Sequence, residues 1–565
     1  MQNVMNLVRE DVIESVKKAV YNLKNKGEIN LDFEIQEVKL EIPKESSFGD
    51  FATTIALQLA KTVKQNPRIL AEKIVKEIMD AKESIYIEDV TVAGPGFINF
   101  KLSNKWLMQT IEIIRTLKEK YGNTDFGKGQ KVLVEFVSAN PTGPLNVVNA
   151  RAAAVGDTLV RIFKAAGYDA ASEFYVNDAG NQVDLMGNSV LARYKQINQP
   201  DYQFPENGYL GDYVKDIAKK AHDEKRDEID GLSEEEQRKY FKEYALNTIK
   251  EWQRQSLADY GVSFDRWFSE RELRASGAVE KLMDEMKAAG HIFEAEDAVW
   301  FRSTTFGDDK DRVLIKNDKT YTYVAPDLAY HKNKLERGFV KLIDILGPDH
   351  HGYQGRMQAG ISSFGYPEGT LEVILLQFVT LMQDGQPVKM SKRAGEFITM
   401  EELLTDVPRD AARYFFIMRN TSSHLDFDIN LAKATTMDNP VWYIQYAHAR
   451  TCSILRQAES VNIDQSDWAN PDLSLLTNEA EVRLIKKMAT YADELIQASI
   501  QRSPSHMARY AYDLAGEFHS FYNECRVVGL ESKELTMSRL ALIQAAKIVL
   551  ANVLNVIGVD APERM

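Results

Sequence analysis

The hydrophobic positions divide the chain into stretches with different periods. Residues 5–25 repeat at a helical spacing, whereas "DFEIQEVKLEIP" (32–43) alternates as a strand would. Amphipathic helices are expected over "FATTIALQLAKTVKQNP" (51–67), stopped by Pro67, and over "AEKIVKEIMDAK" (71–82). "SIYIEDVTVAGPGFINFKL" (84–102) predicts two strands joined by a Gly-Pro-Gly turn. Together these make a small α+β module over 1–120, and the polar, glycine-containing stretch 121–130 marks its boundary.

A continuous apolar run then follows, "KVLVEFVS" (131–138), as expected for a strand buried on both faces of a parallel sheet. "ARAAAVGDTLVRIFKAAGY" (150–168) is a helix with Gly167 at its end, and "ASEFYVND" (171–178) is a second strand. Strand, helix and strand in about forty residues form a βαβ unit, hence an α/β, doubly wound, Rossmann-like domain over 121–400. Between about 185 and 262 the pattern becomes helical and highly charged, an insertion rather than sheet. Strand-like pieces return at "AVWFRST" (298–304), "DRVLIKN" (311–317), "TYTYVAPD" (320–327), "VKLIDILGPDHH" (340–351) and "LEVILLQFVTLM" (371–382). After a connecting segment, 401–435, four long helical patterns over 436–565 predict an α-helical bundle, one of them covering 479–500 without a break.

At 565 residues the chain is too long for one core. No run of about 18 apolar residues is seen, so no membrane-spanning helix is expected, and the mixed charges of 1–20 suit a helix rather than a signal peptide. Two cysteines, Cys452 and Cys525, suit buried free thiols in a reducing compartment, and a cytoplasmic location is expected. A net charge of −14 argues against indiscriminate nucleic-acid binding. That charge is uneven. Residues 201–240 hold twelve acids against seven bases, a net of −5, whereas 481–565 hold ten of each and could locally meet a polyanion.

The candidate chemistry begins at "NPTGPLNVVNARAAAVGD" (140–157), which reads as a strand end, a turn and a helix start. Doubly wound sheets bind ligands at such places, with helix N-termini directing amides at phosphates. The stretch holds neither GxGxxG nor GxxxxGK[ST], so neither a dinucleotide fold nor a P-loop is supported. Downstream, "DGQPVKMSKRAGEFITM" (384–400) places Lys389 and Lys392 in a loop flanked by Gly385 and Gly395, suited to closing over a polyphosphate. His350 and His351 lack any CxxC or HExxH partner spacing, so no tightly held protein metal is implied.

Lys389-Met390-Ser391-Lys392 is the KMSK signature of class I aminoacyl-tRNA synthetases. Along nearly its whole length the chain resembles the arginyl-tRNA synthetases, through "FGDFATTIALQLAK" (48–61), "VEFVSANPTGPL" (134–145), "YVNDAGNQ" (175–182), "FDRWFSE" (264–270), "TYTYVAPDLAYH" (320–331), "LGPDHHGY" (346–353), "DNPVWYIQYAHAR" (438–450) and the terminal "APERM". The resemblance implies ligation of L-arginine to tRNA(Arg) through arginyl-adenylate, using ATP brought in with Mg2+, releasing AMP and pyrophosphate, with tRNA needed for activation. It further implies a catalytic domain over 121–400, an N-terminal module on the D-loop corner of tRNA, an anticodon-binding bundle and a monomer.

By motif, Glu135, Asn140, Glu270, Tyr323 and Asp327 match arginine-site positions, with His351 or Gln354 adding a polar contact. Asp327 and Glu270 would hold the guanidinium, Tyr323 would pack and bond alongside, and Asn140 would hold the α-amino or carboxylate end. A planar guanidinium with five donors suits paired carboxylates, which a lysine ammonium cannot satisfy in the same way. ATP would meet Asn146, Asn149 and Lys389, Met390, Ser391 and Lys392, the first two and both lysines being catalytic. Tyr443, Tyr446, His448 and Tyr522 are candidate contacts to unstacked tRNA bases, though some of them must serve the bundle core instead.

One departure stands out. Class I members carry HIGH, with histidines that reach the ATP and a glycine under the adenine; here the positions are Asn146, Val147, Val148 and Asn149. An asparagine amide donates hydrogen bonds at similar reach but carries no charge, a loss of about 1–2 kcal/mol at a phosphate. A degenerate tRNA-binding relative is the alternative reading, and the intact KMSK and arginine constellation weigh against it.

Overall fold

The computed structural model describes residues 4–41, 43, 45–350, 352–388 and 398–565. The N-terminal helices Val4–Asn25, Ile55–Val63 and Pro67–Ala81 accompany a three-stranded antiparallel sheet of Phe51–Thr53, Ile87–Ala93 and Phe97–Leu102. Pro67, expected to stop one helix, opens the next: the Asn66 side chain accepts from the amides of Arg68 and Ile69, and proline lacks only an N–H that a first turn leaves unpaired. The expected strand over 32–43 is not formed. Among its described residues it pairs only at the Glu41–Ala52 bridge, because Leu31 and Val38 bury themselves in the module while the backbone between stays outside the sheet.

The central sheet is parallel throughout. Its strands are β1 (Lys131–Glu135), β2 (Asp169–Val176), β3 (Arg266–Ser269), β4 (Lys341–Leu346) and β5 (Leu371–Leu375), in the order β5-β4-β1-β2-β3. The chain winds one way from β1 and then restarts on its other side with β4. The crevice beyond the carboxyl ends of β1 and β4 is therefore the switch point where such sheets bind ligands. The helix Val147–Ala165 leaves that crevice and packs tightly on the sheet; a Cβ on Gly156 would lie 2.1 Å from Phe136 Cγ.

Two expected strands differ. "TYTYVAPD" turns into the helix Val324–Glu336 at its fifth residue, and Pro326 is tolerated there because its missing N–H falls within the first turn. "LEVILLQFVTLM" divides between β5 and the strand Val379–Gln383, which joins Gln386–Pro387 and Leu425–Asp428 in a separate small sheet.

The insertion consists of Asn181–Asn198, Asp212–Asp230 and Glu234–Asp259, with its own core around Tyr194, Phe241 and Ile249. The C-terminal helices are Pro440–Ser460, Glu479–Ala489, Tyr491–Gln501, Pro504–Glu524 and Lys533–Val556, so the pattern over 479–500 breaks at Thr490. Lys533–Val556 is long and apolar enough to cross a bilayer, contrary to the expectation that no stretch is. Its neighbours supply the apolar surroundings, and its most apolar window is 67% buried in the bundle. Cys452 and Cys525 are both buried and unpaired, as expected.

Candidate active site

Parallel register aligns three acids across the sheet: Glu135 stands opposite Asp344 on β4 and Glu173 on β2. The helix Val324–Glu336 crosses this row and neutralises it. Lys334, with no exposure, donates to Glu135 Oε2 at 2.6 Å and Asp344 Oδ1 at 2.9 Å. His331 Nε2 lies 2.9 Å from Asp344 Oδ2, Tyr330 donates to Glu173, and Arg337 grips Glu173 with two nitrogens. Burial alone would lower the Lys334 ammonium, yet Asp344, Glu135 and Glu173 outweigh it and hold it above its ordinary value. Burial would likewise raise Asp344, but Lys334 and His331 hold it well below the usual carboxylate range.

The other oxygen of Glu135 accepts from Ser138 Oγ at 2.9 Å, so both oxygens of this expected arginine ligand are already engaged. Ser138 Oγ also accepts from the Tyr175 amide at 3.1 Å. Val137 and Ser138 take φ of 68° and 38°, a left-handed conformation costly for a β-branched residue. The strained bend directly follows β1.

Asp327 differs from the other acids. It sits on the same helix face as His331 and Lys334, four and seven residues on. Its carboxylate has no hydrogen-bond or ion-pair partner among the described residues. Burial, with added repulsion from Glu135 and Glu270, raises it to about 7, although His331 and Arg356 pull it down. Glu270 opens the short helix Glu270–Ala275. The start of that helix is fixed by Asp178, which accepts from Ser269 Oγ and the Arg271 amide. One Glu270 oxygen binds Arg274 Nη2 at 2.6 Å. The hydroxyls of Tyr175 and Tyr353 complete the cluster, both pushed up by burial and then by these acids. The structure thus gathers Asp327, Glu270 and Glu135. Tyr323 stays 88% exposed at the helix start, away from any packing against them.

Sequence reasoning missed Tyr175, Tyr353, His331, Lys334 and Asp344. A polar stripe at 327, 331 and 334 was available as a signal, but reading 320–327 as a strand concealed it. The acid within the apolar strand "KLIDIL" was another, since a buried charge requires a partner.

On the nucleotide side, Asn146 and Asn149 form a reciprocal cap. Asn146 Oδ1 accepts from the amides of Val148 and Asn149 at 2.9 and 3.2 Å, and Asn149 Oδ1 accepts from the Asn146 amide at 3.0 Å. Both oxygens are spent on the helix, which leaves the side-chain NH2 groups as the donors. Val148 packs partly into the core. Asn146 also bridges to Thr399, and the Met400 amide donates to Leu145 O at 2.8 Å, so the exit of the lysine loop is stitched to this helix start. Lys389, Met390, Ser391, Lys392 and His351 lie outside the described residues. Further along the helix, Arg151 is fully buried and, among the described residues, donates only to the carbonyls of Gln377, Asn420 and Ser423; burial lowers it to about 10.

In the bundle, the Arg450 guanidinium lies 5.1 Å from the Tyr446 ring centre and 5.0 Å from that of Tyr522, a cation between two aromatic faces. Tyr443 packs at a tilt against Tyr512 and His519. His448 is only 2% exposed, its Nδ1 2.9 Å from Pro562 O, so it belongs to the interior rather than to a base-reading surface.

A parallel sheet of this order, with a helical insertion after β2, a carboxylate pocket at the switch point and a helical tail, defines a class I aminoacyl-tRNA synthetase. Residues 110–441 match the family model "tRNA synthetases class I (R), catalytic domain", flanked by "Arginyl tRNA synthetase N terminal domain" at 6–102 and "DALR anticodon binding domain" at 444–565. The chain belongs to the arginyl-tRNA synthetase family. It is 46% identical to the arginine–tRNA ligase of Shouchella clausii over 563 residues, covering 100% of both chains, and 46% identical to that of Listeria monocytogenes, covering 99% of this chain and 100% of the other. Its fold is that of the Thermus thermophilus arginyl-tRNA synthetase, with a TM-score of 0.71 at 20% identity over 99% of this chain and 100% of that one.

Proposed function

We propose that this protein ligates L-arginine to tRNA(Arg) in two steps, acting as a single chain in the cytoplasm. In the first, the arginine carboxylate attacks the α-phosphorus of MgATP and pyrophosphate leaves, with tRNA bound. In the second, a ribose hydroxyl of the terminal adenosine takes the arginyl group and AMP departs. The observation that carries this reading is the half-buried Asp327 carboxylate, which has no hydrogen-bond or ion-pair partner among the described residues and feels the charge of Glu270.

A guanidinium brings the missing cation in bidentate form. Glu135, held by Lys334, supports that cluster, Tyr323 turns in from its exposed position at the helix start to pack and bond alongside the bound guanidinium, and His351 or Gln354 adds a polar contact. Asn140 holds the α-amino or carboxylate end. The NH2 groups of Asn146 and Asn149 donate to ATP as neutral groups, so Lys389 and Lys392 of the Lys389–Lys392 loop, together with the helix N-terminus, supply the positive field as charge develops. The Tyr446–Arg450–Tyr522 surface offers aromatic and cationic faces to unstacked bases.

The test is pyrophosphate exchange with arginine, ATP and tRNA together. Arginine-dependent exchange is expected; none above background would overturn the assignment.

A further inference from the structure

The turn Asn140–Gly143 carries the residue assigned to the α-amino or carboxylate end of arginine, yet it lies in neither helix nor strand. Its carbonyls therefore need partners from elsewhere, and the insertion provides them. Gln253, 2% exposed on the helix Glu234–Asp259, donates through Nε2 to Asn140 O at 3.0 Å and Gly143 O at 2.9 Å. Tyr213, on the helix Asp212–Asp230, donates its hydroxyl to Thr142 O at 2.7 Å. Within the turn the Thr142 amide, donating to Asn140 O at 2.8 Å, adds a bond of this kind.

The same helix is tied to the exit of the lysine loop. Trp252 Nε1 and Ser256 Oγ both donate to Glu401, the latter at 2.7 Å, and Glu401 follows Thr399, which bridges to Asn146. Neighbouring residues of one insertion helix thus hold the two edges of the activation crevice. Beyond that grip, Asn140 is exposed and its Oδ1 accepts from Asn177 Nδ2 at 2.8 Å.

We propose that Gln253 is a positioning residue for activation, setting from the insertion where the Asn140–Gly143 turn presents Asn140 to arginine. The proposal rests on the assignment of Asn140 given above. Gln253 touches no substrate; it acts through the turn. Replacing its amide with a thioether of similar length, Gln253→Met, takes the side-chain donor from the Gly143 carbonyl and leaves the Asn140 carbonyl with the Thr142 amide as its remaining donor among the described residues.

The full-length protein is assayed by arginine-dependent pyrophosphate exchange with ATP and tRNA present. Gln253→Met is expected to raise the arginine KM about tenfold, with kcat changed less than about twofold. Tyr213→Phe, a near-isosteric loss of the third donor, is expected to raise it about threefold. In a Gln253→Met/Asn140→Ala double variant the arginine KM is expected to match that of Asn140→Ala alone, because both act on one contact.

A lowered kcat or unfolding midpoint with unchanged arginine KM would mean a purely structural glutamine and would overturn the proposal, as would strict additivity in the double variant. If Gln253→Met does not fold, Tyr213→Phe decides: a raised KM supports the proposal and an unchanged one rejects it. An unaltered arginine KM in Asn140→Ala would remove the Asn140 assignment itself, and the proposal with it. That failure is told apart by the single variant alone.

Discussion

Asp327 and Lys334 stand two helical turns apart on one face and have opposite fates. Lys334 is neutralised by acids of two strands, whereas the Asp327 carboxylate has no ion-pair partner among the described residues. Because burial and neighbouring acids raise Asp327 to about 7, it takes up a proton as the pH falls through neutrality, while a guanidinium stays charged. Arginine KM should therefore be flat above that value and rise up to about tenfold per pH unit below it. Asp327→Asn should abolish this limb and cost about 2–5 kcal/mol of arginine affinity, as read from KM on either side of neutrality. A limb that persists in the variant would place the titrating group elsewhere. Lys334→Met would strand Glu135 and Asp344 together, destabilising the fold by about 3–5 kcal/mol in denaturant titration, with Lys334→Arg losing less.

The elements were legible where their pattern is local. β1 showed as an unbroken apolar run because both its faces are covered, and the following helix showed as a turn, a helical repeat and a closing glycine. The helix Val324–Glu336 was hidden, since its first residues alternate like a strand and Pro326 lies among them; only packing against the acid row selects the helix. The Asn146–Asn149 pair was read as substitutes for two histidines, and the structure adds a reciprocal cap made by the same side chains. How closely this helix approaches the sheet depends on Gly156. Gly156→Ala should force Phe136 and the helix apart and cost about 1–3 kcal/mol, seen as a lower denaturant midpoint with an unchanged slope. An unshifted midpoint would mean the contact relaxes freely.

The modules are held together by bonds between residues far apart in the chain. Arg413, 1% exposed at its side chain, pairs at 2.5 Å with Asp157 of the helix that opens at the crevice. It also lies over Tyr260, from the end of the insertion, and against Gly558 in the tail. Gly558 has φ +70°, and a Cβ there would come within 1.9 Å of an Arg413 nitrogen. Gly558→Ala should loosen this junction, so that one calorimetric transition separates into two as the bundle and the catalytic domain melt apart; a single transition at the original temperature would count against the junction. The order of amino acids alone established the α/β core, the helical tail, the family motifs and the acids expected at arginine, because periodicity and motif spacing are properties of neighbours along the chain. Only the tertiary structure decided that Glu135 is spoken for while Asp327 is open, and that the insertion grips the crevice. Charge compensation and hydrogen-bond satisfaction are settled between strands and helices whose adjacency no local pattern encodes.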